Sequence, residues 1–196
     1  MNTVVSAQWA HCPEPATPSA DGVPVVLMIA TPKTTLRDEA RRLVRTTLET
    51  FLARLTGCAH TLHTEPGTAP RLDLAVAGRP VHLSISHESG LSLAAIRCGG
   101  RVGVDLMHAV DAATPDRETI AHDYLGPDAA AELMRFGVAE RQTAFARAWT
   151  RHEAGLKCLG MQLQEWSPDL ARELAQCRYS ELALPAPYIG AVALCD

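Results

Sequence analysis

Residues 81–86 alternate without a break. Val81, Leu83 and Ile85 fall on one face, and His82, Ser84 and Ser86 on the other. Side chains of a strand project to opposite faces with period two, so this run specifies a half-buried β-strand and little else. A loop of His87, Glu88, Ser89 and Gly90 follows, then a second apolar run over residues 91–97. Cys98, Gly99 and Gly100 turn the chain into a third, Arg101 to Met107. Three such runs joined by glycine-bearing turns predict a three-stranded antiparallel meander. Helical periodicity flanks them. Over residues 34–55, apolar side chains recur at three and four, and Gly57 ends the pattern. A second long helix is expected over residues 138–159, after short ones at 116–124 and 127–136. Short strands are expected at residues 25–29 and 72–76, with two more around 177–184 and 188–194. The fold class is therefore α+β. Two similar halves are expected, 25–100 and 101–196, each a main helix on a small antiparallel sheet, the second carrying the chemistry. Residues 1–24, rich in Pro, Ala, Ser and Thr, read as a loose N-terminal arm.

The chain has 196 residues, 47% of them hydrophobic, enough for a sizeable core in one domain or two small ones. A formal net charge of −4 argues against a general nucleic-acid binder. The opening residues show no cationic segment followed by an apolar one, so no signal peptide is expected, and no apolar run reaches transmembrane length. Six cysteines are scattered without a CxxC pair, as in a cytoplasmic protein with reduced thiols.

One residue in the third strand needs explaining. Asp105 interrupts the apolar run Gly103-Val104-Asp105-Leu106-Met107. Asp is depleted in strands, and a buried carboxylate without a partner is costly. Either Asp105 is near water at a strand end, or a cation meets it. The second long helix offers candidates. Phe145, Trp149, Glu153 and Lys157 lie four apart and share a face. The two aromatics should face the core and carry Glu153 toward the interior or a cleft. The plainer reading is an ordinary Glu–Lys surface pair. A strand Asp and a helix Glu could together hold Mg²⁺, which prefers oxygen ligands and usually shares them with substrate phosphates. Lys157 would then suit a phosphate oxygen, and His87 is either a phosphate donor or a hydrogen-bonded turn histidine.

In this order and spacing, Ser84-Ile85-Ser86-His87, Gly103-Val104-Asp105 and Trp149-x-x-x-Glu153-x-x-x-Lys157 resemble the 4′-phosphopantetheinyl transferases of the Sfp type, and residues 188–193 resemble that family's closing strand. The resemblance implies two pseudo-symmetric halves in a monomer, with coenzyme A bound between them. It implies transfer of the phosphopantetheine arm to a serine of an apo acyl or peptidyl carrier protein, as in a holo-[acyl-carrier-protein] synthase, with release of adenosine 3′,5′-bisphosphate. Carried over, Asp105 and Glu153 would hold Mg²⁺. Glu153 would also take the serine proton, directly or through water, and Lys157 would neutralise phosphate charge. Ser86 and His87 would contact the coenzyme A phosphates. Three departures stand out. Met107 replaces a frequent acid. Residues 67–71 replace a Gly-Lys-Pro element, leaving Arg71 or His63 for the 3′-phosphate. His152 stands where a basic residue usually precedes the Glu. Met107, on the strand face of Asp105, is expected beside the metal, where glutamate would be tolerated. Two rivals are a family member that binds coenzyme A or a carrier protein without transfer, and another Mg²⁺-dependent phosphotransferase or hydrolase.

Overall fold

The computed structural model describes residues 4–10, 22–31, 37–63, 70–109 and 116–196. One eight-stranded mixed sheet dominates it, in the order β5-β6-β7-β2-β1-β9-β10-β8, with a separate two-stranded ribbon β3-β4. The strands are β1 (Val4–Trp9), β2 (Val25–Ala30), β3 (Leu62–His63), β4 (Arg71–Leu72), β5 (Ala75–Val76), β6 (Arg79–Glu88), β7 (Leu91–Cys98), β8 (Arg101–His108), β9 (Arg178–Ala183) and β10 (Tyr188–Cys195). Helix α1 spans Arg37–Thr56, and α2 (Arg117–Ile120) runs on into a π-helical turn over Ala121–Leu125. Helices α3 (Pro127–Leu133), α4 (Val138–Leu159) and α5 (Pro168–Leu174) follow. The fold is α+β, as its periodicities predict.

The layers follow from the alternation. Val81 and Leu83 of β6 join Val25, Leu27 and Ile29 of β2 under Val44, Leu48, Phe51 and Leu52 of α1. The opposite face, Val26, Met28, Leu91, Leu93 and Ala95, packs on Val102, Val104 and Leu106 of β8 and Val192 of β10. Every residue of β7 is buried, because α1 covers one side of it and the curled end of the sheet the other. Helix α4 lies on the outer side of β8 and β10, with Ala154 against Ala191 and Ala193. It stops at Gly160, which takes the left-handed conformation (φ 72°), while the Met161 N–H closes onto the Leu156 carbonyl at 2.9 Å.

Two expectations are corrected. The meander is only half formed: β6 and β7 pair as an antiparallel hairpin, but β8 pairs with β10. Arg97 explains the break. The residue is 4% exposed, and its guanidinium fills the corner between β7 and β8 and donates to the carbonyls of Arg101 (2.9 Å) and Cys195 (2.7 Å). Gly100 must lack a side chain, since a Cβ there would lie 2.4 Å from that guanidinium. The arm expected over residues 1–24 contains a strand: β1 pairs in parallel with both β2 and β9. The rest of that arm outside residues 4–10 and 22–24 lies outside the described residues, as do 34–36 of the expected first helix.

Candidate active site

Gly103 sets the distance between strand and helix. A Cβ at this position would fall 2.0 Å from the Ala154 carbonyl oxygen and 2.4 Å from the Cys158 nitrogen. The backbone of β8 therefore rests directly on α4, which only glycine permits. Two residues further along the same strand face, Asp105 reaches the helix positions Glu153 and Lys157, one turn apart. Asp105 Oδ1 accepts from Lys157 Nζ at 2.7 Å and from Ser86 Oγ at 2.7 Å. Lys157 Nζ also lies 3.3 Å from Ser86 Oγ. The Asp105 side chain is 10% exposed and that of Lys157 31%. The aspartate in the apolar strand is thus met by a cation and a hydroxyl.

The Ser-x-Ser alternation of β6 has a structural task as well. Strand β8 bonds to β10 on one side, which leaves alternate N–H groups on its other edge. Ser84 Oγ accepts from the Val104 N–H at 3.0 Å, and Ser86 Oγ from the Leu106 N–H at 3.3 Å. Buried N–H groups demand such partners. The Leu106 N–H approaching Ser86 Oγ leaves the hydroxyl proton to point at Asp105. Ser84 and Gly103 thus help to build the site: both stand in the motifs that carry the resemblance, but the sequence assigns neither a role.

Glu153 is half-buried. Burial chiefly, and then the charge of Asp105, push its carboxyl above the usual carboxylate range, while Lys157 partly opposes the shift. Two carboxylates therefore share a partly dry corner with a single ammonium. His152 is buried, and burial pushes its imidazole below the usual range, so it favours the neutral form and supplies no fixed positive charge there. Phe145 stacks on Trp149 with ring centroids 5.8 Å apart, forming the inward start of the stripe that ends at Lys157.

Asp105, Glu153, Lys157 and Ser86 come together. His87 does not join them. It follows Ser86 by one residue and faces the other side of β6, where its Nδ1 lies 2.8 Å from Ser92 Oγ. Ser92 in turn donates to Thr31 Oγ1 at 3.4 Å. Arg71 sits exposed on β4 of the separate ribbon, opposite His63. Met107 departs from its expected position facing a metal: its side chain packs against the apolar cluster of Ala121, Ala130, Leu133, Phe145 and Ala146. The strand alternation places it on the Asp105 face, but Phe145 and Trp149, midway along α4, belong to the cluster it packs on.

A strand aspartate hydrogen-bonded to a helix lysine, with a glutamate one turn away, makes a compact acidic–basic cluster. Residues 101–189 match the family model of the 4′-phosphopantetheinyl transferase superfamily. The match takes in Asp105, Glu153 and Lys157; Ser86 lies upstream of it. No curated protein matches the chain. No helix among the described residues is long and apolar enough to cross a membrane.

Proposed function

We propose that this protein transfers the 4′-phosphopantetheine arm of coenzyme A to a serine of an apo acyl or peptidyl carrier protein, with Mg²⁺ at Asp105 and Glu153. The observation that carries this reading is the convergence of Asp105, Ser86 and Lys157 within hydrogen-bond distance beside Glu153, with Asp105, Glu153 and Lys157 all inside the residues that match the superfamily. The donor set fits the metal. Burial and then the charge of Asp105 raise the pKa of Glu153, and a hard divalent cation held by the two carboxylates would offset that repulsion. Bound there, Mg²⁺ would neutralise diphosphate charge.

The chain's own residues supply the rest. Lys157, already aimed at Asp105 and only part-buried, can turn one donor toward a phosphate oxygen without leaving the carboxylate. Glu153, made more basic by burial and by Asp105, accepts the proton of the carrier serine directly or through a water. The serine oxygen bonds to the phosphorus that bears pantetheine, and adenosine 3′,5′-bisphosphate leaves. Positioning and charge neutralisation are the main demands of such chemistry. Ser86 fixes Asp105 and meets the diphosphate. His87 and Arg71, outside the cluster, would contact other parts of coenzyme A.

A second reading, a family member that binds without transfer, draws on two observations: Met107 packs in an apolar cluster, and His152 is buried and held toward its neutral form. One experiment separates them. Apo carrier proteins from fatty-acid, polyketide and peptide synthesis are incubated with the enzyme, coenzyme A and Mg²⁺, then weighed by mass spectrometry. A gain of the phosphopantetheine mass that disappears in Asp105→Ala and Glu153→Gln, both still folded by circular dichroism, supports transfer. Binding of coenzyme A with no mass gain on any carrier supports the second reading. Unchanged transfer in either variant removes that residue from the site.

A further inference from the structure

Behind the acidic cluster, three thiols meet in the interior. Cys158 follows Lys157 on α4, Cys177 immediately precedes β9, and Cys195 ends β10. All three are buried, and their sulfur atoms lie within 4.8 Å of one another. Cys177 and Cys195 sit one step beyond the paired residues Arg178 and Leu194, and their sulfurs are 2.7 Å apart. The walls are apolar: Ala154, Ala191, Ala193, Leu159 and the ring of Tyr179. Three scattered positions in the sequence thus become one all-sulfur corner, in which no carboxylate or imidazole joins them among the described residues.

We propose that Cys158, Cys177 and Cys195 form a three-thiolate site for a soft monovalent cation of the Cu(I) class. Sulfur donors select soft ions, whereas hard ions take oxygen. Zn²⁺ in structural sites is almost always four-coordinate, and this corner offers three protein donors. Cu(I) is satisfied by three. A metal–sulfur bond near ~2.3 Å puts the three sulfurs about 4 Å apart in a plane, so Cys177 and Cys195 part by about 1 Å on binding. Each coordinating thiol gives its proton to solvent, and no electron is transferred.

The alternative use of such a pair is a disulfide between Cys177 and Cys195. The setting disfavours it, because the attacking species in thiol oxidation is the thiolate. Burial first, and then each sulfur's neighbours, push the Cys177 thiol up to about 12 and the Cys158 thiol higher still. A bound cation lessens that penalty, because its positive charge and its bonds to sulfur offset part of the thiolate charge that burial and mutual repulsion oppose. Cys158 adjoins Lys157 and its backbone takes part in the contact of β8 with α4, so the thiol corner borders the acidic cluster while drawing on a different set of side chains.

The test uses the full, reduced chain under anaerobic conditions, titrated with Cu(I) against a competing colorimetric chelator. The expected result is one equivalent bound per chain, lost in each of Cys158→Ser, Cys177→Ser and Cys195→Ser. Because a buried serine can unfold the corner, the wild-type protein is also alkylated with and without Cu(I). The peptides carrying Cys158, Cys177 and Cys195 should be protected by the metal, while exposed Cys58 reacts equally in both samples. No binding above that of a variant lacking all three thiols overturns the proposal, as does metal protection that spares any of the three. Preferential retention of Zn²⁺ over Cu(I) overturns the choice of ion. A loss of two thiols in air, with no Cu(I) bound by the reduced protein, assigns the corner to a disulfide instead.

Discussion

Asp105 and Lys157 form an ion pair whose two ends have unequal access to water. The carboxylate side chain is 10% exposed and the lysine side chain 31%. Removing one end is therefore not equivalent to removing the other. In Lys157→Met the aliphatic stem survives, but Asp105 keeps a buried charge with the Ser86 hydroxyl as its remaining side-chain donor in the cluster. Breaking a fully buried pair costs ~3–5 kcal/mol, so with one partner part-exposed and one hydrogen bond retained the loss should be about 2 kcal/mol. For a chain of this size that corresponds to a fall in Tm of roughly 4–8 °C. In Asp105→Asn the amide oxygen still accepts from Ser86, and the lysine turns to solvent, so the loss should be about 1 kcal/mol or less. Thermal melts at neutral pH in a chelating buffer measure both, and the double variant should recover most of what Lys157→Met loses. If Asp105→Asn falls as far as Lys157→Met, or the double variant is no better than Lys157→Met, the trapped charge is not the carboxylate and the reasoning fails.

Glu153 gives a pH signature in the same metal-free buffer. Its folded-state pKa is raised, so its favourable contribution is fully present at acid pH and is lost as pH rises through the folded value. Glu153→Gln should therefore melt above wild type at neutral pH, and the gap should vanish below the ordinary carboxylate range; a gap independent of pH contradicts this. Gly103→Ala places a methyl against the backbone of α4, so it should lose about 3 kcal/mol and most transfer activity, as denaturant unfolding and the carrier assay would report. Met107→Glu should bury a carboxylate against Phe145 and its neighbours and lose about 2 kcal/mol with or without Mg²⁺; tolerance, with tighter Mg²⁺ binding, would restore Met107 to the metal's edge.

The cluster was legible in the sequence wherever a local rule was broken or repeated. Asp105 stood out because aspartate does not belong in an apolar strand, and Glu153 with Lys157 because four-residue spacing tied them to two aromatics. Helix α4 ends where its periodicity and Gly160 say it must. Helix α5 was missed although Ser167 caps it, donating no proton but accepting from the Leu170 N–H at 3.1 Å, with Pro168 in its first turn. What stayed hidden was non-local. Glycine turns predict that consecutive strands pair, yet Arg97 wedges β7 from β8, and β8 finds a partner that lies far along the chain. His87 and Arg71 could be nominated by type, but the strand alternation already turned His87 away from Ser86, and the placement of Arg71 on the separate β3-β4 ribbon depends on pairing that no window of sequence contains. Strand β1 hides in a segment whose composition suggests no structure.

That first strand also imposes an order of assembly. Within the sheet β1 is the link between β2 and β9, and its register sets Val4 beside Glu181 and Ala7 beside Val26. On a ribosome, β1 and β2 emerge well before β9, with all the intervening elements between them. Until then one edge of β1 has unpaired N–H and C=O groups, a template that any other extended segment can occupy. Closing so distant a pair is slow, because the loop entropy must be overcome before the contact stabilises anything. The interval between synthesis of β1 and arrival of β9 is therefore the period in which this chain is most open to mispairing with a neighbour.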